Sequence, residues 1–88
     1  MSETNEIIYE IREERIRQQC EEGWTNEHDD ELVHEELINA AVAYATGKSN
    51  LYPYGWIYKP APRRRRLIKA AALIIAEVER LDRRRTEA

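Results

Sequence analysis

The sequence predicts an all-α fold: a small domain of three helices, with an aromatic, proline-containing crossover loop between the second and the third. Apolar residues recur at helical spacing over residues of about 3–22, 27–46 and 62–84. The segment 47–61 contains two prolines and glycine, which a helix interior does not tolerate. The 88 residues are expected to form one domain, and a chain of this size is marginally stable as a monomer.

The first predicted helix, residues 3–22, carries apolar residues on one broad face and glutamates and arginines elsewhere. Gly23 supplies the permissive backbone that ends this helix, and Trp24 just beyond it is predicted to anchor the core. The apolar face consists of Ile7, Ile8, Ile11, Ile16 and Cys20.

The second predicted helix, residues 27–46, has the most regular pattern in the chain. Thr25 or Asn26 is the candidate N-cap, since a side-chain oxygen there can accept a hydrogen bond from a free backbone N–H. Gly47 closes the helix. Its apolar stripe consists of Val33, Leu37, Ala40, Ala41, Tyr44 and Ala45.

The crossover loop, residues 47–61, has a large aromatic residue at every second position, at Tyr52, Tyr54, Trp56 and Tyr58. Alternation with period two is typical of an extended segment whose rings share one side. Because most loops are polar, we expect an aromatic loop either to lie across the core or to line a site.

The third predicted helix, residues 62–84, has Pro62 in its first turn. Between Leu67 and Ala76 only Lys69 is polar, so the helix is apolar on most of its sides. Two other helices and a loop cannot cover such a helix, and we therefore expect a homo-oligomer with this helix at the interface. Its main stripe consists of Leu67, Ala71, Ile74, Val78 and Leu81, and Ile68, Ala72 and Ile75 widen it.

Charge is divided between the two halves of the chain. Residues 1–47 hold 13 acidic and 3 basic residues, and residues 48–88 hold 11 basic and 4 acidic ones, which gives −10 and +7 and the formal net charge of −3. Two interpretations stay open: the acidic half packs against the basic half, or the basic half binds an anionic partner.

The remaining composition points to the cytoplasm. The single cysteine, Cys20, excludes an intramolecular disulfide and a cysteine-cluster zinc site, which favours a reducing compartment. The N-terminus lacks the pattern of a secretion signal, and the longest apolar run, residues 70–76, is too short to cross a bilayer. We expect a cytoplasmic protein with no membrane partner.

A candidate ligand site combines an arginine run at the start of the third helix with nearby aromatic rings. Guanidinium groups and a helix N-terminus bind phosphates, and aromatic rings stack on bases. The combination predicts a small nucleotide-type ligand and no cofactor, whereas overall acidity disfavours extended nucleic acid. The alternative is that the rings fill the core and the arginines pair with the acidic half. The candidate residues are Tyr54, Trp56, Tyr58, Lys59, Arg63, Arg64, Arg65, Arg66 and Lys69.

A second candidate is a divalent-cation site in the acidic segment of the second predicted helix. Asp30 and His34 stand four residues apart, so they share a helix face, and both are metal-ligand types. The alternatives are a solvated acidic helix start and carboxylates that pair with another subunit's arginines. The candidate ligands are His28, Asp29, Asp30 and His34.

Two acidic motifs resemble those of the MazG-like all-α nucleoside triphosphate pyrophosphohydrolases, which hold Mg²⁺ with ExxE and ExxD. Residues 79–82 (ERLD) match the second motif, and residues 10–13 (EIRE) match the first but lie on the first predicted helix. The resemblance implies a Mg²⁺-dependent hydrolase, and the alternative is that these residues are surface ion pairs. The catalytic candidates are Glu35, Glu36, Glu79 and Asp82.

Several segments resemble a widespread group of short phage and prophage proteins, over most of residues 10–84. The sequence departs from the group at Glu35, where glycine is usual, and at Leu32, where histidine is common. The matching segments are Gly23-Trp24-Thr25, residues 27–30 (EHDD), Glu36-Leu37, Lys59-Pro60 and residues 69–83 (KAAALIIAEVERLDR).

This second resemblance implies a phage accessory protein that acts in the host cytoplasm. Phage proteins of this size commonly antagonise host defence, and one strategy is an oligomer that sequesters a nucleotide immune signal. The leading hypothesis is therefore a binding protein with no catalytic residues. The hydrolase and a protein-binding inhibitor of a host factor are the alternatives.

Overall fold

The computed structural model describes residues 3–33 and 35–87, and within them the chain forms helices and connecting loops with no strand. The α-helices are α1 (Glu3–Glu21), α2 (Asn26–Asp30), α3 (Glu36–Thr46) and α4 (Arg63–Glu87), and a short 3-10 helix spans Ser49–Leu51. The all-α prediction is confirmed, but the described part of the chain has four α-helices rather than three. In the same residues no helix combines the length and the apolar character that a membrane crossing needs.

The prediction of one continuous helix over residues 27–46 is wrong, because the chain leaves the helical path between α2 and α3. Glu27, Glu31 and Glu35 would stand four residues apart on one helix face, where like charges repel. Glu35 instead adopts a left-handed backbone with φ of 56°. Thr25 is confirmed as the N-cap of α2, since its hydroxyl accepts the His28 N–H at 3.2 Å.

The hydrophobic core lies mainly between α3 and α4. The predicted inward stripe of the second helix is confirmed for Leu37 and its neighbours but is wrong for Val33 and Ala45, which are exposed. Trp24 is buried, which confirms its prediction as a core residue. The buried core cluster consists of Trp24, Leu37, Ala40, Ala41, Ala43, Tyr44, Tyr52, Ala70, Leu73 and Ala76.

Helix α1 packs through polar residues, and its broad apolar face is not the packed one. Ile7, Ile8 and Ile16 are 42%, 58% and 43% exposed, and Cys20 is exposed as well. The buried residues of α1 are instead Glu14, Arg15 and Gln18. Ionised side chains tolerate burial when opposite charges neutralise them, and α4 supplies those charges.

Helix α4 presents one face to α3 and another to solvent. The residues that face the core are Ala70, Leu73 and Ala76, whereas the predicted main stripe remains half-exposed at Leu67 and Ile74. The apolar character on most sides of α4 is therefore only partly covered within one chain.

Candidate functional site

The crossover loop lays most of its rings on the core. Trp56 stacks on Trp24 with ring centroids 5.1 Å apart, and Tyr58 stacks on Tyr44 at 4.8 Å. Tyr52 is buried and meets the rings of Tyr44 and Tyr58 edge-on, each at 5.3 Å. The loop thus lies across the core, which was one of the two expectations for an aromatic loop.

Tyr54 departs from its three neighbours, so the prediction that all four rings share one side is wrong at this position. The Trp56 N–H donates to the Pro53 carbonyl at 3.1 Å, which closes a tight turn around Tyr54 and Gly55. Gly55 has φ of 87°, a conformation that glycine adopts without strain. The turn keeps the Tyr54 ring off the core, and the ring is fully exposed.

This turn and α3 enclose a cleft of about 240 Å³. Tyr54, Trp56 and Pro53 line it from the loop, and Glu36 and Asn39 line it from the first turns of α3. One side of the cleft is therefore aromatic and the other offers carboxylate and amide groups. Ligand pockets commonly combine apolar walls with a few convergent polar groups, and drug-sized ligands occupy about 300–1,000 Å³, so this cleft suits a single ring system.

The predicted phosphate-binding residues lie mainly at the boundary between α1 and α4. The guanidinium of Arg64 binds both carboxylate oxygens of Glu10, at 2.8 and 3.0 Å. Arg65 donates to Glu14, and the ammonium of Lys69 lies 3.6 Å from the same carboxylate. The interpretation that the acidic half packs against the basic half is confirmed here, within one chain.

Two other predicted residues have partners elsewhere. The ammonium of Lys59 donates to Glu22 at 2.7 Å, which ties the crossover loop to the end of α1. Arg66 donates to the carbonyls of Ala61 and Tyr44, at 3.1 and 3.0 Å, so it joins the end of α3 to the start of α4. Arg63 is exposed at the first residue of α4.

The structure therefore separates the predicted site into two places. Tyr54 and Trp56 line the cleft, while Tyr58 belongs to the core stack on Tyr44. The basic residues lie outside the cleft, whose described lining contains no lysine or arginine. Those with solvent-exposed side chains, which we call the basic surface, are Lys59, Arg63, Arg64 and Arg65.

Burial and charge act in opposite directions on the pKa values at the α1–α4 boundary. Burial by itself raises the pKa of Glu14, but the hydrogen bond from Arg17 and the charges of Lys69 and Arg65 outweigh it, so this pKa lies below its ordinary value. Burial lowers the pKa of Lys69, and the nearby Glu14 carboxylate counteracts this only in part.

The candidate metal ligands mostly have partners on other helices. The carboxylate of Asp29 is bound by His28 Nδ1 at 3.0 Å and by Arg15 at 3.3 Å, and burial raises its pKa despite these contacts. Asp30 pairs with Arg83 at 2.9 Å. His34 lies outside the described residues. Among the side chains that the structure describes, no group of three or more histidine, cysteine or acidic residues is arranged to hold a metal ion.

The candidate hydrolase carboxylates also lie on different parts of the surface. Glu36 lines the cleft, whereas Glu79 accepts a hydrogen bond from Arg15 at 3.0 Å. Glu35 immediately precedes α3, and Asp82 is exposed on α4. Of the ExxE match on α1, Glu10 is bound by Arg64 and Glu13 is exposed.

Two residues were not predicted from the sequence, one that ties several elements together and one that lines the cleft. Arg15 bridges three elements, because it donates to Asp29, Glu79 and the Trp24 carbonyl. No periodic pattern marks such an arginine. Asn39, in contrast, interrupts the apolar run 37–45 as its single polar side chain before Tyr44, and this interruption was a usable signal for the cleft.

Comparison of the chain with models of known protein families, with curated proteins and with solved structures found no match.

Proposed function

We propose that this chain is a small binding protein that captures a nucleotide-type ligand, with the ligand's ring system in the cleft between Tyr54 and Trp56. The observation that carries the proposal is that two aromatic residues, the fully exposed Tyr54 and the half-buried Trp56, both line this cleft. An exposed aromatic ring is a stacking platform, and every base has a face that can stack on it.

The polar side of the cleft supports a heterocyclic ring rather than a purely apolar one. The carboxylate of Glu36 accepts hydrogen bonds, and the amide of Asn39 both donates and accepts them. These groups lie on α3, which the core fixes in place through Leu37 and Ala40. A rigid helix therefore positions the groups that would recognise the edge of a base.

The basic surface would hold the phosphates of such a ligand. The side chains of Arg64 and Lys59 are 66% and 50% exposed, so their ion pairs with Glu10 and Glu22 are solvated. Exposed ion pairs are weak because water screens them, so a phosphate can compete with the carboxylates for these two cations. Arg63 and Arg65, whose side chains also reach solvent, complete the proposed phosphate-binding set. Arg66 and Lys69 do not belong to it, because Arg66 donates to two backbone carbonyls and Lys69 is buried against Glu14.

Self-association is part of the proposal, since the cleft and the basic surface are separate within one chain. In a homo-oligomer, the basic surface of one copy would lie beside the cleft of another. The resemblance to short phage proteins favours a cytoplasmic role in which the oligomer sequesters a nucleotide signal of host defence without transforming it.

Titration calorimetry with ADP-ribose and with cyclic di-AMP tests the proposal. Stacking contributes about 1–3 kcal/mol per base, so Tyr54→Ala is expected to weaken binding at least 5-fold, by roughly 1 kcal/mol. Tyr9→Ala is the matched control, because Tyr9 is 63% exposed on α1 and lies outside the cleft. A wild-type protein that binds neither nucleotide contradicts the proposal.

A further inference from the structure

A heptad-like stripe of apolar residues lies on the outer face of α4. Leu67, Ala71, Ile74, Val78 and Leu81 follow one another at intervals of four, three, four and three residues. The four larger side chains are 43%, 49%, 51% and 46% exposed. An average spacing of 3.5 residues keeps a stripe facing one partner helix along its whole length.

The stripe continues onto α1 through a groove. Ile75 is 40% exposed beside the stripe, and it lines a groove of about 230 Å³ together with Ile8 and Ile11 of α1. Ile8 is itself 58% exposed. The isoleucine face of α1 and the stripe of α4 thus form one apolar surface, which we call the α1–α4 face.

The extent of the α1–α4 face matches one side of an ordinary protein interface. Six of its aliphatic side chains are each 40–58% exposed and together expose roughly 500 Å², as much as the largest patches that monomers commonly show. These six are Ile8, Leu67, Ile74, Ile75, Val78 and Leu81. A standard interface covers roughly 800 Å² on each partner, and about 60% of it is apolar, which is again roughly 500 Å².

The charges around the stripe permit a second copy of the same chain. The positions that border it between residues 68 and 77 hold Ile68, Ala70, Ile75 and Glu77. Glu77 is already bound by Arg80, at 2.7 and 2.9 Å. Two identical stripes can therefore meet without unpaired like charges along their middle, as an isologous interface requires.

From these observations we propose that the α1–α4 face is the surface on which two copies of this chain pair, with their α4 helices side by side and antiparallel. The four arginines at residues 63–66 favour the antiparallel direction. A parallel pair would bring both runs together at one end, whereas an antiparallel pair places each run beside residues 82–85, where Asp82 offsets part of the charge of three arginines. This inference rests on the self-association in the proposed function and names the surface that mediates it.

Sedimentation velocity of the wild-type protein, Ile74→Glu and Val42→Glu tests the surface. Val42 is the matched control, because it is 41% exposed on α3, away from the α1–α4 face. We expect a dimer for the wild type and for Val42→Glu, and a dissociation constant at least 100-fold higher for Ile74→Glu, with helicity by circular dichroism unchanged. Val78→Lys repeats the test if Ile74→Glu loses helicity.

The outcomes separate this inference from the proposed function. A wild-type protein that is monomeric at every concentration overturns both the self-association and the α1–α4 pairing. A wild-type oligomer that persists in Ile74→Glu and Val78→Lys overturns this surface alone. Neither result changes the calorimetric test of the cleft.

Cysteine cross-linking in a Cys20→Ser background tests the direction. In an antiparallel pair, a mixture of Leu67→Cys and Leu81→Cys chains forms a heterodimeric disulfide, whereas Leu67→Cys alone does not cross-link. Efficient cross-linking of Leu67→Cys to itself overturns the antiparallel arrangement.

Discussion

The carboxylate of Glu14 on α1 lies 3.6 Å from the ammonium of Lys69 on α4, and both side chains are buried. Arg17, Arg65 and Gln18 donate to the same carboxylate. Lys69 is the residue that interrupts the apolar run of α4, so the interruption marks the place where an acidic helix docks. Helix α1 is thus held by buried ionic contacts more than by its isoleucines.

The stabilising effect of Glu14 should depend on pH. Its pKa in the folded protein lies below the ordinary value of 4.5, so ionised Glu14 stabilises the fold above that pH, and the stabilisation is lost as the pH falls through the folded value. We predict that Glu14→Gln lowers the free energy of unfolding by about 2–3 kcal/mol at pH 7, because it removes the carboxylate that compensates the buried Lys69 ammonium.

Urea unfolding of the wild-type protein and of Glu14→Gln between pH 7 and pH 3 measures this effect. The difference between them should shrink below about pH 4.5. Burial raises the pKa of Asp29, so its effect on stability as the pH falls is opposite to that of Glu14. Asp29 is present in both proteins, and its effect therefore cancels from the difference. A difference that stays constant down to pH 3 would show that ionised Glu14 does not hold α1.

Arg15 should not be replaceable by lysine. Its three nitrogens donate to Glu79, the Trp24 carbonyl and Asp29, at 3.0, 3.1 and 3.3 Å, and a lysine ammonium cannot reach three separated acceptors. We predict that Arg15→Lys costs about 2 kcal/mol or more in chemical denaturation, since Asp29 is fully buried. Arg12→Lys, an exposed change on the same helix, should have almost no effect. Equal stabilities of the two variants would contradict this role.

Substitution of Gly47, at the end of α3, tests its contact with Arg66. Gly47 and Gly55 both have positive φ, of 77° and 87°. A Cβ on Gly47 would lie 2.6 Å from an Arg66 nitrogen, whereas a Cβ on Gly55 would meet nothing within 4 Å. Both alanine variants carry the backbone strain, of about 1 kcal/mol, and Gly47→Ala should lose more because Arg66 must also leave the Tyr44 carbonyl. Thermal unfolding that ranks Gly55→Ala as the less stable variant would refute this account.

Glu35 offers a stabilising substitution. Its left-handed backbone, with φ of 56°, costs a residue with a side chain about 1–2 kcal/mol, and glycine adopts it freely. Glu35→Gly also removes one of the repelling carboxylates before α3. We predict a rise of about 1 kcal/mol in the free energy of unfolding, measured by urea denaturation with Glu31→Gly, at a position of negative φ, as the control. A loss of stability in Glu35→Gly would contradict the strain argument.

The sequence predicted where the helices lie better than which face of each helix is buried. Helical spacing correctly marked the all-α class, the buried residues Leu37 and Tyr44, and the cap at Thr25. Spacing shows which residues share a face but not whether that face is covered. On α1 the covered face is the polar one, because the basic start of α4 is its neighbour, and this depends on tertiary arrangement.

The candidate site could be predicted only in part, and the reason is similar. Alternating aromatics correctly drew attention to the crossover loop, but the turn at residues 53–56 that sends Tyr54 outward is not visible in a period of two. The arginine run suggested a phosphate site next to the rings, and the distances place Arg64 and Arg65 against Glu10 and Glu14 instead. Asn39 and Glu36 enter the site only because α3 begins at the cleft.

Nuclear magnetic resonance of the ¹⁵N-labelled protein during titration with ADP-ribose tests the central claim, that the cleft binds a nucleotide ring. The account predicts saturable shifts of the Trp56 indole N–H and the Asn39 side-chain amide, with the α1 backbone around Ile16 unchanged. The Trp56→Phe variant assigns the two indole signals. Shifts confined to residues 63–66, or no shifts at millimolar nucleotide, would contradict the claim.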